Sequence, residues 1–310
     1  GPRRQRLREE ERAYESRLFE VEPGVRLLAH CRWQPAHLSR PTLLLVHGLE
    51  GSSSSRYILG TSGKAFRAGF NVVRLNVRNC GGTEHLAPTL YHSGMSDDVA
   101  RVVAELIETD GLTSLFVVGF SMGGNLVLKM AGEMSADAPR QLKGISAVSP
   151  SLDLRACAHA IEQRSNWLYQ QSFVRSLHRR IRHKQKLFPD IYDTTPLRRV
   201  RTVRQFDEIY TAVHGNFRDA DDYYARASAL QFVPRIRVPT FILHAQDDPF
   251  VPFASFRDPA LAENPCVLFL APRYGGHVAF LADEARNEDR FWAENRVVEF
   301  CALLAEGDGG

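Results

Sequence analysis

LFVVGFSMGG, residues 115–124, runs from an unbroken apolar tetrad straight into a serine set between glycines. The tetrad Leu115–Val118 suits a strand covered on both faces, and Leu126–Glu133 beyond it suits a helix. Gly119 and Gly123 occupy the two places where a sharp strand-to-helix turn needs backbone without a side chain, so Ser121 is expected at the apex. A serine hydroxyl is a poor nucleophile until a neighbouring base takes its proton. G-x-S-x-G alone is a common string, and a tight turn with a satisfied serine is the bland alternative. The motif needs an acid, a base and an oxyanion site elsewhere in the chain.

Outward from this stretch the chain alternates. Strands are expected at Thr42–Val46, Asn71–Val77, Gly144–Val148, 239–244 and Cys266–Leu270, with two more around the turn Glu22-Pro23-Gly24. Helices are expected at Ile58–Ala68, from an N-cap Ser96 with first-turn acids Asp97 and Asp98 through Thr109, and at Arg290–Leu304. This rhythm predicts an α/β fold class: a mostly parallel central sheet with helices on both faces. It stops near Pro150 and resumes at Pro239, and the segment between has helical periodicity and no clear strand. The predicted organisation is a charged N-terminal tail over 1–15, a sheet core from 16–150 and 236–310, and a helical cap insertion over 151–235.

The other three parts follow in chain order. After the strand Phe241–His244 come Asp247 and Asp248, on the face where parallel sheets bind ligands. Two candidates compete for the acid: Asp248, whose backbone the Pro249 ring fixes just beyond it, is favoured, and Asp247 reads as a turn cap. The base is His277, which follows Gly275 and Gly276 in a loop beyond the last strand and alone among eleven histidines combines that order with glycine neighbours. Its bland alternative is a surface-loop histidine. The strand Thr42–Val46 ends in His47-Gly48-Leu49-Glu50-Gly51, whose backbone supplies one oxyanion donor, Leu49 N–H; the second is Met122 N–H. His47 reads as a residue that holds this loop by hydrogen bonds, ahead of a second base.

Composition narrows the remaining classes. The 310 residues are 44% hydrophobic and carry 39 basic and 36 acidic side chains, a formal charge of +3 that demands no nucleic-acid partner. Five cysteines, odd in number and with no C-x-x-C pair, point to reduced thiols and a cytoplasmic setting. Cys80, in the turn-like RNCGG, reads as a passive small residue, with a reactive thiol as the alternative. No H-E-x-x-H, cysteine cluster or P-loop is present, so neither metal nor cofactor is expected. No run reaches the ~18 apolar residues of a membrane span. The opening residues have no apolar core of a signal peptide, and Gly1-Pro2 reads as a protease-cleavage scar.

Several strings go beyond this outline: HGLEGSSSS, VRNCGG, YHSGMSDDV, GFSMGGN, QFDEIYTAVHGNFRDADDYY, AQDDPFVP and GGHVAF. Together, over about residues 16–285, they resemble the YheT-like hydrolases, relatives of the animal ABHD lipid hydrolases and of yeast medium-chain acyl ester synthases. The resemblance implies an alpha/beta-hydrolase fold with Ser121 as nucleophile, Asp248 as acid and His277 as base, the D-x-x-V-P string at Asp248 being where such hydrolases carry the orienting acid. It implies a serine carboxylesterase acting on small-molecule carboxylic esters, lipid or medium-chain esters among them, through an acyl-enzyme. The alternatives are acyl transfer to an alcohol, which needs the same residues, and a catalytically idle binding protein.

Residues 151–205 hold twelve Lys/Arg against four Asp/Glu, densest in HRRIRHKQK, 178–186, with Trp167, Leu168, Tyr169 and Phe173 interleaved. Such a cap suits peripheral contact with an anionic membrane surface. The bland reading is a solvated helix face above an apolar underside. No nucleic-acid module accompanies the charge. Asp97 and Asp98 read as helix-cap residues, and His214 as a structural hydrogen-bonding residue.

Overall fold

The computed structural model describes residues 14–284 and 288–307. The tail expected over 1–15 lies, up to residue 13, outside them. Eight strands form one sheet in the order β1-β2-β4-β3-β5-β6-β7-β8. β1 (Glu15–Glu22) and β2 (Val25–Arg32) make an antiparallel hairpin at one edge, and β2 pairs antiparallel with β4 (Asn71–Leu75). From β4 onward every pair is parallel: β3 (Thr42–Val46), β5 (Leu115–Phe120), β6 (Leu142–Val148), β7 (Thr240–Leu243) and β8 (Val267–Leu270).

Period-two alternation divides the core into two layers. Leu43 and Leu45 of β3 and Phe116 and Val118 of β5 face helices α1 (Arg56–Arg67) and α8 (Trp292–Gly307), meeting Ile58, Ala65, Val297 and Cys301. Leu44 and Val46, with Leu115 and Val117, face the other way, onto α2 (Ser96–Glu108) and α3 (Met122–Met134). Both faces are covered, which is why these strands read as continuous apolar runs.

The register sets the site. Val46 lies opposite Gly119, Phe120 opposite Val148, and Val148 opposite Leu243. Four strands therefore end together, and the loops that begin at His47, Ser121, Ser149 and His244 emerge along one edge. Residues 149–239, between β6 and β7, contain no strand. They form α4 (Leu154–Ile161), α5 (Trp167–Leu187), α6 (203–214, with a π turn at Asp207–Thr211) and α7 (Ala220–Ala227).

One expected cap is not there. α2 starts at Ser96 with Met95 in the capping position, and the Ser96 hydroxyl makes no cap bond. It donates instead to Glu133 and receives Lys129 Nζ at 3.0 Å, because a lysine and a glutamate from α3 meet it there. Asp98 lies in the first turn of α2 as expected, and there it is buried and receives Arg78 Nε at 2.6 Å.

Candidate active site

Ser121 stands at the β5–α3 junction with φ 55° and ψ −118°, a conformation that costs an L-residue of order 1–3 kcal/mol and persists only when its surroundings enforce it. They do so by close approach. A Cβ on Gly119 would overlap the Gly123 carbonyl, and one on Gly123 would overlap the carbonyls of Val46 and His47. Ser121 N–H donates to Val148 O at 2.9 Å, tying the apex to the neighbouring strand.

The loop after β8 brings His277 over this serine. His277 Nε2 lies 2.8 Å from Ser121 Oγ, and Nδ1 lies 2.7 Å from Asp248 Oδ2. A carboxylate only accepts, so Nδ1 carries the proton and Nε2 is left to accept from the serine hydroxyl. Burial pushes the Asp248 carboxyl up, but hydrogen bonds from His277 and from the N–H groups of Phe250 and Val251 outweigh it and hold the group below the usual carboxylate range. Ser149, itself at φ 46°, donates through its hydroxyl to the His277 carbonyl.

The two adjacent aspartates divide the work differently from the expected turn cap at Asp247. Asp248 holds its own turn as well as His277. Asp247 Oδ1 reaches across to accept the N–H groups of Gly275 and Gly276, each at 2.9 Å, and so anchors the loop that carries His277.

Leu49 and Met122 line the same cavity as Ser121 and His277. His47 is fully buried beneath that loop: its Nε2 accepts Val77 N–H at 3.2 Å and its Nδ1 donates to Gly48 O at 2.7 Å. Burial pushes this imidazole down to about 4, so it stays neutral and both its nitrogens are engaged in holding the loop. The cavity's walls are mainly apolar, with Leu154, Ile161, Phe173 and Leu177 from α4 and α5 and Phe250 beside His277.

The model of the alpha/beta hydrolase fold matches residues 41–284. The chain belongs to the α/β-hydrolase fold family. Within it, the hydrolase is 31% identical over 270 residues to YheT, a candidate esterase of Escherichia coli (strain K12), a match covering 86% of this chain and 78% of that protein. It is 30% identical to phospholipase ABHD3 of Mus musculus over 78% of this chain and 59% of that protein, so it spans about three-fifths of that relative. These similarities place it in the YheT-like, ABHD-related branch. An esterase of Pyrococcus furiosus, Pf2001, superposes with a TM-score of 0.60 at 17% identity, over 94% of this chain and 91% of that one, a likeness of fold.

The hydrolase also uses residues the sequence did not single out. Tyr57 Oη accepts Gly48 N–H at 3.0 Å, and Tyr91 Oη accepts Glu50 N–H at 3.1 Å, so two phenols brace the loop around Leu49. Tyr91 opens the string YHSGMSDDV without any sign of this role, and nothing local marks Tyr57. Arg180 was legible only as part of the basic run 178–186, yet it is buried and bonded to Glu50. Its spacing from Val174, Leu177, Ile181 and Lys184 is the trace it leaves, since all five share one helical face. Cys80 is buried, and burial pushes its thiol up to about 12, which keeps it unreactive as the passive reading expects. His214, expected to act through a hydrogen bond, instead packs its ring on Tyr192 at 4.6 Å between centroids and stacks on Tyr210, with no side-chain hydrogen bond among the described residues.

Proposed function

We propose that this ester hydrolase works through an acyl-enzyme on Ser121. His277 takes the Ser121 proton through Nε2 as Oγ attacks the ester carbonyl carbon, and Asp248 stabilises the imidazolium that forms. Negative charge collects on the former carbonyl oxygen, in front of the Leu49 and Met122 N–H groups and the N-terminal end of α3. His277 returns its proton to the departing alkoxide, and the alcohol leaves. A water, deprotonated by the same nitrogen, then attacks the acyl carbon and releases the acid and free Ser121. The observation that carries this reading is the unbroken chain from Asp248 Oδ2 through His277 to Ser121 Oγ, at 2.7 and 2.8 Å. Replacing Ser121 by alanine is expected to lower turnover of p-nitrophenyl esters by about 10⁶-fold; turnover that survives the change refutes the role.

The apolar walls from α4 and α5 suit an aliphatic acyl chain, in line with the phospholipase and the Saccharomyces cerevisiae monoacylglycerol lipase among its relatives. Segment 151–235 is the cap over that chain. A second outcome of the same intermediate is acyl transfer to an alcohol in place of water. The 27% identity to the yeast medium-chain fatty acid ethyl ester synthase/esterase 2 supports it, and product analysis with added ethanol separates the two.

We also propose that the outer face of α5 lies against an anionic membrane surface, in a cytoplasmic setting. Arg175, Arg179, Arg182 and Lys186 recur at helical spacing on its exposed face, and Trp167, Leu168 and Tyr169 lie exposed at its start. Tyr169 packs on Phe250, which packs on His277, so this face borders the site. Among the described residues no helix is long and apolar enough to cross a membrane. Reversing the four charges to glutamate is expected to cut cosedimentation with phosphatidylglycerol vesicles at least about tenfold, each basic residue near such a surface contributing about 1 kcal/mol. Unchanged binding excludes this face.

A further inference from the structure

α5 meets the core through two buried cations as well as its apolar stripe. Lys184, fully buried, gives Nζ to Glu84 O at 3.1 Å and to Ala87 O. Arg180, whose side chain is 8% exposed, donates Nε to Glu50 Oε1 at 2.8 Å and Nη1 to Asn79 O. Its guanidinium lies 4.9 Å from the Tyr91 ring centroid. Tyr91 donates its hydroxyl to that same Glu50 oxygen at 2.7 Å while accepting Glu50 N–H, so Glu50 is gripped by both its side chain and its backbone.

Glu50 directly follows Leu49 and holds φ 54°, a left-handed conformation for which it has no glycine's freedom. On the other side of Leu49, Gly48 N–H is bound by Tyr57, and Gly51 N–H closes the turn onto Gly48 O at 3.0 Å. Both neighbours of Leu49 are thus pinned, whereas the Leu49 N–H makes no hydrogen bond among the described residues. Only one of these pins comes from outside the sheet core: Arg180, on the helix above the site.

We infer that Arg180 is a positioning residue for the oxyanion site, acting through Glu50 to aim the Leu49 N–H at the charge that develops on the ester oxygen. This rests on the acyl-enzyme reading above. It makes the seating of α5 a condition for transition-state stabilisation as well as for enclosing the substrate. An Arg180 that merely anchors α5 would affect stability and substrate binding and leave the chemical step alone.

The test is a cycle of Arg180→Gln, Glu50→Gln and the double variant, with Arg180→Lys as a milder change should the first fold poorly. Each is measured for kcat and KM on a short p-nitrophenyl ester, for affinity toward an alkylboronic acid that mimics the tetrahedral state, and for Tm. The expected result is kcat lower by about 10- to 100-fold with KM within about twofold, since small misplacement of a donor is costly. Boronate affinity should fall by a similar factor, because that adduct uses the same donors. The double variant should be no worse than the poorer single, as expected of two residues acting as one unit. An unchanged kcat in folded Arg180 variants, or a raised KM alone, overturns the proposal. Ser121→Ala, assayed alongside, separates the two ideas: if it stays active the acyl-enzyme reading fails, and if it is dead while the Arg180 variants keep full kcat only the positioning role fails.

Discussion

Ser121 and the pair Asp247–Asp248 show how little at this site rests on one side chain. Asp248 turns both oxygens to use, one on its own turn and one on His277, while Asp247 binds the backbone of the loop that delivers the imidazole. Asp248→Asn is expected to lower kcat by about 10³- to 10⁴-fold, because the amide can donate to Nδ1 and favour the wrong tautomer. Asp247→Ala leaves the tautomer intact and loosens only the loop, so its loss should be smaller by at least about tenfold. Steady-state rates of the two variants on one ester check this, and a larger loss at Asp247 would reverse the assignment. Both aspartates were visible in the sequence, but their division of labour was not, because it depends on contacts 28 and 29 residues further on.

At the scale of elements, what was legible was whatever local periodicity encodes. The apolar runs Thr42–Val46 and Leu115–Val118 announced their strands because burial on both faces forbids polar interruptions. The elbow was legible because the glycines at 119 and 123 fall directly between a strand and a helix, where a sharp turn needs them. Gly123→Ala is expected to lower stability by about 1–3 kcal/mol, the usual cost of forcing atoms into a filled site, since its Cβ would overlap the Val46 and His47 carbonyls. Thermal unfolding measures this, and an unchanged Tm would mean the elbow is slacker than its contacts imply. Contacts between distant elements left weaker traces. Ser96 looked like a cap, and α3 gave it other partners. The run 178–186 was read whole, as a membrane-facing patch or as a solvated helix face, whereas its helical phase divides it into outward Arg179 and Arg182 and inward Arg180 and Lys184.

The whole molecule gathers the loops after β3, β5, β7 and β8 at one sheet edge; their order along the chain was legible in the sequence, whereas the register that aligns their ends was not. Assembling that edge buries ionisable groups, which makes stability depend on pH. Burial pushes His47, His92 and His244 down to about 4. Between that value and the ordinary histidine range the unfolded chain binds more protons than the folded one, so these groups cost stability as pH falls through the window. Asp207, pushed up to about 6 by burial, acts oppositely: its folded form keeps a proton the unfolded chain loses, and stability is lost as pH rises through that range. Burial also lowers His214 and raises Asp98, so four histidines stand against two carboxyls, and the unfolding midpoint should drop from pH 7 to pH 5. His92→Gln should flatten that drop, and a midpoint that rises on acidification would contradict the balance.

The most direct measurement is intact-protein mass spectrometry after exposure to a fluorophosphonate, followed by peptide mapping. One covalent adduct on the peptide containing Ser121, absent from Ser121→Ala and much slower to form in a His277→Ala variant, is the expected result. An adduct on any other residue, or none in a protein that still turns over esters, would contradict the acyl-enzyme on Ser121.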